Sequence, residues 1–323
     1  MPGKVGPTDL LEHVFTRTGR SDDAVRQGPA IGEDAAAIDV EAGTLVVSSD
    51  PISLAASAVG RIGVHVACND VAASGGDPRW LTVVCLLAPD ADLATITADL
   101  DATAREVGVA IVGGHTERVD ALERPMLSLT ALGPAERFVP TGGAEPGDVL
   151  VLTRGAAIEG SAILAADFGA DLDVPPAVCE RAEAYLEELS VIPAARILRS
   201  VATGMHDPTE GGVAGAALEL ARAAGTRVVL DREAVPVREP TRQLCAAAGV
   251  DPLRIFGSGA LLATVPPEHV DGVLGDLEDA GIDAAAVGAV HEGDPALELD
   301  GKSHTDAVRD DLYSLWAAAD AGE

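Results

Sequence analysis

The sequence predicts a mixed α/β (α+β) protein of two domains, and three observations support this prediction. The chain has 323 residues, which is enough for two hydrophobic cores. Segments with the apolar period of a strand are interspersed with segments of helical period. A glycine- and proline-rich segment without periodicity, Thr141–Asp148, separates the two halves. We therefore predict an N-terminal domain over residues 1–140 and a C-terminal domain over residues 147–323.

The first half contains three predicted helices and four predicted strands. The clearest helix is Asp92–Val107, in which Leu93, Ile96 and Leu100 recur at helical spacing. The other helices are expected at Thr8–Gly19 and Gly60–Gly75. The strands are expected at Thr44–Ser49, Trp80–Leu87, Val109–Val112 and Met126–Leu132. We expect the strand Val109–Val112 to be short and buried and to lead into a glycine turn.

The second half again mixes strands and helices. The predicted strands are Val149–Thr153, Arg227–Leu230, Leu261–Val265 and Ala284–Val290. The predicted helices are Ser161–Asp167, Ala177–Leu189, Ala194–Val201, Arg238–Ala248 and Glu268–Asp279. A further helix, which Thr209 or Glu210 can open, places Val213, Ala217, Leu220 and Ala221 on one apolar stripe. Beyond Val290 we expect a polar tail.

Composition and charge exclude several classes of protein. The formal net charge is −30, which leaves nothing to neutralise nucleic-acid phosphates and so argues against a nucleic-acid partner. No apolar run approaches the ~18 residues of a membrane helix, and the first residues lack a signal-peptide pattern, so we expect a cytoplasmic protein without a membrane partner. Four separated cysteines form no CxxC pair and indicate small buried side chains in a reducing compartment.

Five short stretches place polar, metal-capable side chains beside glycines or at the ends of elements. They are Gly32-Glu33-Asp34, Asp50-Pro51, Asn69-Asp70, Gly113-Gly114-His115-Thr116-Glu117 and the segment from His206 to Gly212. A carboxylate that ends a strand lies at a sheet rim, where ligands bind in α/β folds. The glycines allow another group to approach the backbone closely. The shared composition therefore indicates a ligand site with several carboxylates.

The segment from His206 to Gly212 shows the pattern most fully. Asp207 precedes a proline and is therefore extended or in a turn. Thr209 or Glu210 can open the helix that follows, Gly211-Gly212 remove side-chain bulk from its first turn, and its free N–H groups favour an anion. Carboxylates beside an anion make sense when a divalent cation lies between them. The alternative is a capped amphipathic helix with nothing bound. Because the chain has no GxxxxGK[ST] loop, any bound phosphate would need Mg²⁺ and backbone N–H groups in place of a lysine.

These motifs together resemble the PurM-like (AIR synthase-related) superfamily, and the resemblance covers nearly the whole chain. The matching segments, in order, are GEDAA, SSDP, RIGVHVACNDVAASGGDPRW, VGGHTE, PGDVLVLTRG, GMHDPTEGGVAGAALELA and FGSGALLATV. The MHDPTEGG segment most resembles the hydrogenase-maturation factors of the HypE type. The resemblance implies a homodimer formed through the N-terminal sheets, with ATP and Mg²⁺ bound near that interface. It also implies transfer of a phosphoryl group to a substrate oxygen, on a small molecule or on another protein.

The resemblance also implies roles for individual residues. Mg²⁺ would be held by Asp34, Asp50, Asp70 and Asp207. The other nucleotide-binding residues would be Gly32, Asn69, Gly113, Gly114, Thr116, Gly211 and Gly212. The catalytic residues would be Asp50, Asp207 and His115. These assignments rest on matched motif positions.

The chain departs from the resemblance at two places. His115 stands where relatives commonly carry an acidic residue, and imidazole is a poor ligand for Mg²⁺. The sequence ends in Ala319-Asp320-Ala321-Gly322-Glu323, whereas HypE-type proteins end in a cysteine that carries the carbamoyl group. We therefore expect the substrate group to lie on another molecule. Two alternatives to a HypE-like enzyme stay open: a thiamine-monophosphate-type kinase, and a nucleotide-binding regulatory or scaffold dimer.

The composition predicts that the fold depends on salt. A net charge of −30 over 323 residues implies self-repulsion, which we interpret as adaptation to a salt-rich cytoplasm. The screening length falls from ~10 Å at 0.1 M salt to ~3 Å at 1 M, so the melting temperature should rise through the molar range. Calorimetry between 0.1 and 3 M KCl measures this, and a flat melting temperature would contradict the interpretation.

Overall fold

The computed structural model describes residues 7–17, 22–41, 43–52 and 58–320. The chain divides into two compact units. The N-terminal unit consists of Asp22–Pro29 and Asp34–Phe138, and the C-terminal unit consists of Met1–Ser21, Ala30–Glu33 and Val139–Glu323. Of the predicted first helix, the described part is α1 (Pro7–Asp9) with a π-helical turn after it, and the predicted end at Gly19 lies outside the described residues.

Over its described residues, the N-terminal unit is a six-stranded sheet with two helices. In chain order its elements are β1 (Val25–Gln27), β2 (Ala36–Val40), β3 (Gly43–Ile52), α2 (Val59–Ala73), β4 (Trp80–Leu87), α3 (Leu93–Val107), β5 (Ala110–Arg118) and β6 (Met126–Ala135). The strand order is β1-β2-β3-β6-β4-β5. Only the β4–β5 pair is parallel among the described strands of this sheet.

Helix α2 packs against both the sheet and α3, and two glycines allow the close approach. A Cβ on Gly63 would lie 2.7 Å from the Leu129 side chain of β6. A Cβ on Gly60 would lie 2.7 Å from the carbonyl oxygen of Ile96 in α3. The helix is therefore buried along most of its length, and its polar residues Asn69 and Asp70 are buried with it.

Helix α3 confirms the clearest helix predicted from the sequence. The Asp92 side chain accepts hydrogen bonds from the backbone N–H groups of Ala94 and Thr95, as a helix N-cap does. Gly108 ends the helix with a φ of 80°, a left-handed conformation that suits glycine. Both ends are thus encoded by local residues, which is why the sequence predicts this element well.

Strand β5 corrects the prediction of a short buried strand followed by a glycine turn. The strand runs without a turn from Ala110 to Arg118, and all of its residues are exposed. It lies at the edge of the sheet and pairs only with β4 among the described strands. Gly114 has a φ of 148°, and a Cβ there would lie 1.8 Å from the carbonyl oxygen of Val83. This glycine therefore serves strand pairing instead of a turn.

The C-terminal unit contains a seven-stranded sheet in the order β13-β12-β9-β11-β7-β10-β8. From β7 onward its elements are β7 (Val149–Thr153), α4 (Ile158–Ile163), α5 (Pro176–Glu183), α6 (Ile192–Leu198), β8 (Gly204–His206), α7 (Gly212–Ala224), β9 (Arg227–Leu230), α8 (Glu239–Ala248), β10 (Leu262–Val265), α9 (Pro267–Asp279), β11 (Ala284–His291), β12 (Ala296–Leu299), β13 (Lys302–His304) and α10 (Leu312–Asp320). The mixed α/β (α+β) class is confirmed.

Two predictions for this unit need correction. The predicted helix Ala177–Leu189 is α5 followed by a 3-10 turn, Ala184–Glu188. The predicted polar tail instead contains β12, β13 and α10. Strand β12 pairs in parallel with β9, far earlier in the chain, and such non-local pairing leaves little trace in a short local pattern.

The apolar core of the C-terminal unit lies between α7 and the sheet. Val213, Ala217 and Leu220 of α7 are buried in one cluster with Leu150 and Leu262 of the sheet. This packing matches the helical stripe predicted from the sequence. Among the described residues, no helix is long and apolar enough to cross a lipid bilayer.

Candidate functional site

The hydroxyl of Ser48 lies among three oxygen atoms of the N-terminal unit. Its Oγ is 2.6 Å from Asp70 Oδ2, 3.0 Å from Asp50 Oδ2 and 3.1 Å from the carbonyl oxygen of Asp34. A hydroxyl has one proton and donates it to one of these acceptors at a time. The arrangement, which we call the Ser48 cluster, therefore concentrates more oxygen acceptors than Ser48 can satisfy.

Strand and helix geometry together build the Ser48 cluster. Ser48 and Asp50 are two residues apart in β3, so both point to the same face of the sheet. Helix α2 packs against β3 and brings Asp70, which is 4% exposed. Carboxylate and carbonyl oxygens are the ligands that Mg²⁺ prefers. The donor set of the cluster therefore fits a magnesium ion.

The structure separates the predicted His115 from the Ser48 cluster within one protomer. His115 belongs to β5, and two strands, β6 and β4, lie between β5 and β3. Three strand spacings correspond to ~14 Å along the sheet. The exposed His115 side chain is 3.4 Å from Glu117 Oε2 instead. The predicted phosphate-site residues Gly113, Gly114 and Thr116 lie on the same edge strand.

In the C-terminal unit, Asp207 directly follows β8 and is fully buried. The residue before it, His206, is also buried, and its Nε2 lies 2.9 Å from Oε2 of Glu219 in α7. The backbone carbonyl of Met205 accepts a hydrogen bond from Thr141 Oγ1. Hydrogen bonds with Glu219 of α7 and with Thr141 thus fix the end of β8 in place. Sequence reasoning missed Glu219, which reads as an ordinary helix carboxylate.

The predicted Gly32 and its neighbour Glu33 also belong to the C-terminal unit. The Glu33 carboxylate accepts hydrogen bonds from the backbone N–H groups of Thr141 and Gly142, at 3.2 and 2.9 Å. Gly32 has a φ of 81°, and a Cβ there would lie 2.8 Å from the carbonyl oxygen of Glu219. Packing against α7 therefore explains why glycine is needed at position 32.

The N-terminus of α7 already holds a carboxylate of the chain itself. The backbone N–H of Gly211 donates to Asp310 Oδ2 at 2.9 Å, and Asp310 Oδ1 accepts from the N–H of Leu312 at 3.0 Å. A Cβ on Gly212 would lie 2.5 Å from the carbonyl oxygen of Ile255. The close approach that the two glycines predict is thus made by the protein backbone. No local signal could identify Asp310, which lies 99 residues from Gly211.

Comparison with known proteins places the chain in a family. The AIR synthase related protein family models match residues 32–135 with the N-terminal domain and residues 145–300 with the C-terminal domain. The chain is 31% identical to the carbamoyl dehydratase HypE of Azotobacter vinelandii, over 87% of this chain and 84% of that protein. It is also 31% identical to a selenide, water dikinase of Geobacter metallireducens, over 89% and 92%.

A solved structure agrees with these relatives. The crystal structure of the hydrogenase maturation protein HypE in complex with ATP matches with a TM-score of 0.70 and 28% identity, over 82% of each chain. The chain belongs to the AIR synthase-related (PurM-like) family. Within that family it resembles the HypE branch, and the predicted class, an ATP-dependent enzyme of the HypE-like type, is confirmed.

The carboxyl of Asp310 predicts a pH dependence of stability. Burial raises its pKa from 3.8 to about 7, with the charges of Glu210 and Asp311 adding to the effect and two backbone N–H groups opposing it. The folded state therefore holds a proton that the unfolded chain releases near pH 4, so stability should be greatest below pH 4 for this group and fall until about pH 7. Asp310→Asn should flatten that part of the melting-temperature profile between pH 5 and 8. An unchanged slope in the variant would show that Asp310 titrates as an ordinary carboxylate.

Proposed function

We propose that this enzyme uses Mg·ATP to phosphorylate and dehydrate a carbamoyl or carboxamide group borne by another molecule. The Ser48 cluster is the single observation that carries the proposal, because it gathers two carboxylates and a carbonyl where a divalent cation needs them. The carbamoyl dehydratase relatives supply the substrate class. Phosphoryl transfer needs little from the protein beyond positioning and charge neutralisation. The oxygen atoms of the Ser48 cluster, with the cation they would bind, can provide both.

In this proposal Asp50 and Asp70 hold Mg²⁺, with the carbonyl of Asp34 beside them. Held by these residues, the ion would supply neutralisation of the charge that develops during phosphoryl transfer. Ser48 orients whichever of the two carboxylates accepts its proton. The resemblance also predicts two further metal ligands, Asp34 and Asp207. It predicts that the nucleotide is bound by Asn69, Gly113, Gly114 and Thr116. These roles stay predictions.

The cysteines of the chain are poor carriers for the substrate group. Cys68, Cys85 and Cys245 are buried, and burial raises the pKa of Cys68 and of Cys245 to about 12. The thiolate is the reactive form of cysteine, so these two side chains are essentially unreactive near neutral pH. Cys179 is half-buried within α5. These observations support a substrate carried by a free small molecule or by a partner protein.

The function is tested with a peptide whose cysteine has been S-carbamoylated with cyanate. In high salt with Mg·ATP, the enzyme should convert the thiocarbamate to a thiocyanate, seen by mass spectrometry as the loss of one water, with ADP and phosphate released. Asp70→Asn should weaken Mg·ATP binding by at least ~10-fold, since a charge-paired ligand contributes ~1.5–3 kcal/mol.

The control for this experiment is Asp39→Asn, which removes an exposed carboxylate on β2 of the same unit. It should bind Mg·ATP and turn over like the wild type. If the wild type binds Mg·ATP but converts no thiocarbamate, the dehydratase proposal is wrong and the scaffold alternative gains support. Unchanged affinity in Asp70→Asn would remove this residue from the metal site.

We also propose that the enzyme is a homodimer formed through β5. This edge strand presents backbone groups that no described strand pairs on its outer side, and its Ile111 and Val112 are 42% and 59% exposed. An exposed apolar edge strand is a template for pairing with another chain, and soluble proteins usually cover such edges. Pairing through β5 would also place His115 and Thr116 at the interface between the two protomers.

Light scattering in concentrated salt should report twice the protomer mass of 32.7 kDa. Val112→Asp should shift the protein toward monomer, because a charge would then be buried at the interface. Val40→Asp, at an exposed position in β2, is the matched control and should leave the dimer intact. A wild-type monomer at micromolar concentration would end the dimer proposal.

A further inference from the structure

The last described segment of the chain, residues 310–320, is bonded to three other segments of the C-terminal unit. This segment, which we call the C-terminal strap, includes α10. Asp310 Oδ2 accepts a hydrogen bond from the backbone N–H of Gly211 at 2.9 Å. The hydroxyl of Tyr313 donates to Glu210 Oε2 at 3.2 Å. Both contacts hold the strap against the turn that precedes α7.

The strap is also bonded to the 3-10 turn Pro252–Arg254. The N–H of Asp311 donates to the carbonyl oxygen of Arg254 at 3.1 Å, and Asp311 Oδ2 accepts from the N–H of Asp251 at 3.2 Å. The Nε atom of Arg254 lies 3.5 Å from Asp311 Oδ1. The positive charge of this arginine is therefore paired with Asp311, one residue after Asp310.

Aromatic rings form the third contact of the strap. Trp316 Nε1 donates to Asp167 Oδ2 at 2.9 Å, and the Trp316 ring lies 6.5 Å from that of Phe168. The ring of Phe256 is 6.2 Å from Tyr313 and 6.4 Å from Trp316. The chain has only two Trp, two Tyr and four Phe residues, and half of them gather here. These ring contacts carry no charge, so they favour docking of the strap at any pH.

The carboxyl of Asp310 makes the remaining contacts of the strap sensitive to pH, because it is 0% exposed. The ionisable groups on the turn before α7, at the 3-10 turn and in or beside the strap are Asp207, Glu210, Asp251, Arg254, Arg309, Asp311 and Tyr313. Arg254 is paired with Asp311, and the side chain of Arg309 is exposed. Asp310 is thus buried among groups that are mainly acidic.

Desolvation and like charge both disfavour an ionised carboxyl. Burial raises the pKa of Asp310 to about 7, and the charges of Glu210 and Asp311 add to this shift. The two backbone N–H groups that Asp310 accepts oppose the shift without reversing it. At neutral pH and above, the docked strap therefore carries a buried charge that a hydrated, undocked strap would not have to bury.

We propose that the C-terminal strap is gated by pH: it is docked at acidic pH and opens more often as the carboxyl of Asp310 ionises. The docked state keeps a proton that the open state releases near pH 4. Docking is therefore strongest below pH 4, weakens up to about pH 7 and is constant above that. Opening frees the N–H of Gly211, the carboxylate of Glu210 and one face of the Phe256 contact, all within the C-terminal unit. The gate does not depend on the proposed metal site or reaction.

Hydrogen–deuterium exchange followed by mass spectrometry measures the opening of the strap. In high salt, the protection factors of the α10 amides, corrected for intrinsic exchange, should fall at least ~10-fold between pH 5 and pH 8. Each pH unit over which only the docked state holds the proton changes the opening equilibrium by up to ~10-fold. At pH 8 the amides of the central strand β7 should remain protected while those of α10 exchange, because the strap opens without unfolding of the sheet.

Three variants assign the gate to Asp310. Asp310→Asn cannot ionise, so the protection of α10 should lose its pH dependence. Asp306→Asn alters an exposed carboxylate four residues earlier and should follow the wild type. Tyr313→Phe removes the hydrogen bond to Glu210 and should lower the protection at both pH values by a similar factor, with the pH dependence kept.

Two results would overturn the proposal for the wild-type protein. One is protection of α10 that stays the same between pH 5 and pH 8, and the other is joint exchange of α10 and β7 at every pH. A pH dependence that survives in Asp310→Asn would exclude this residue as the gate. If that variant does not fold, Glu210→Gln decides: removal of this neighbouring charge should move the midpoint to lower pH, and an unmoved midpoint contradicts the proposal.

Discussion

The cost of burying carboxylates is the constraint on which the rest of this structure depends. The chain carries 52 acidic residues against 22 basic ones, so few cations are available to pair with those inside. Hydroxyl and backbone N–H groups donate hydrogen bonds to several of the buried carboxylates. Asp70 is hydrogen-bonded to Ser48, Asp310 to the N–H groups of Gly211 and Leu312, and Glu159 to Ser258. Hydrogen bonds of this kind reduce the desolvation cost without cancelling the charge.

These differences in partner separate carboxylates that build the fold from those proposed to do chemistry. Asp310 accepts from the N–H of Gly211 at the start of α7 and from the N–H of Leu312 at the start of α10, and thereby fastens the C-terminal segment to α7. The hydroxyl of Ser48 lies within hydrogen-bond distance of both Asp50 and Asp70, and it donates its one proton to one of them at a time. The N–H of Gly211 is already bonded to Asp310, so this helix N-terminus by itself does not indicate a phosphate site.

Close backbone approach is the second organising feature, and it explains several of the glycines that the motifs contain. At Gly32, Gly114 and Gly212 a Cβ would collide with a protein carbonyl. The glycines are thus required by packing between segments of the chain, whatever ligand binds nearby. Glycine-rich motifs consequently indicate the region of a site but do not by themselves show which backbone group contacts a ligand.

Local pattern was sufficient for much of the fold. The family, the mixed class and helices such as α3 follow from periodicity, caps and motif order, which are encoded within a few residues. Of the predicted buried strand Val109–Val112, Val109 is buried but residues 110–112 are exposed, because an apolar strand looks the same in sequence whether it lies inside a sheet or at its edge. The domain limits, the cytoplasmic location and the individual site residues stay predictions.

The sequence by itself determined which residues carry the polar chemistry, since Asp50, Asn69-Asp70 and the segment from His206 to Gly212 stand out against their apolar neighbours. Only the tertiary structure decided which of them meet. It brought Ser48, Asp50 and Asp70 together across a strand and a helix, left His115 on an edge strand, and supplied Asp310 to α7 from the far end of the chain. The physical reason is that residue spacing encodes faces and caps, whereas convergence of distant segments depends on how sheets and helices pack.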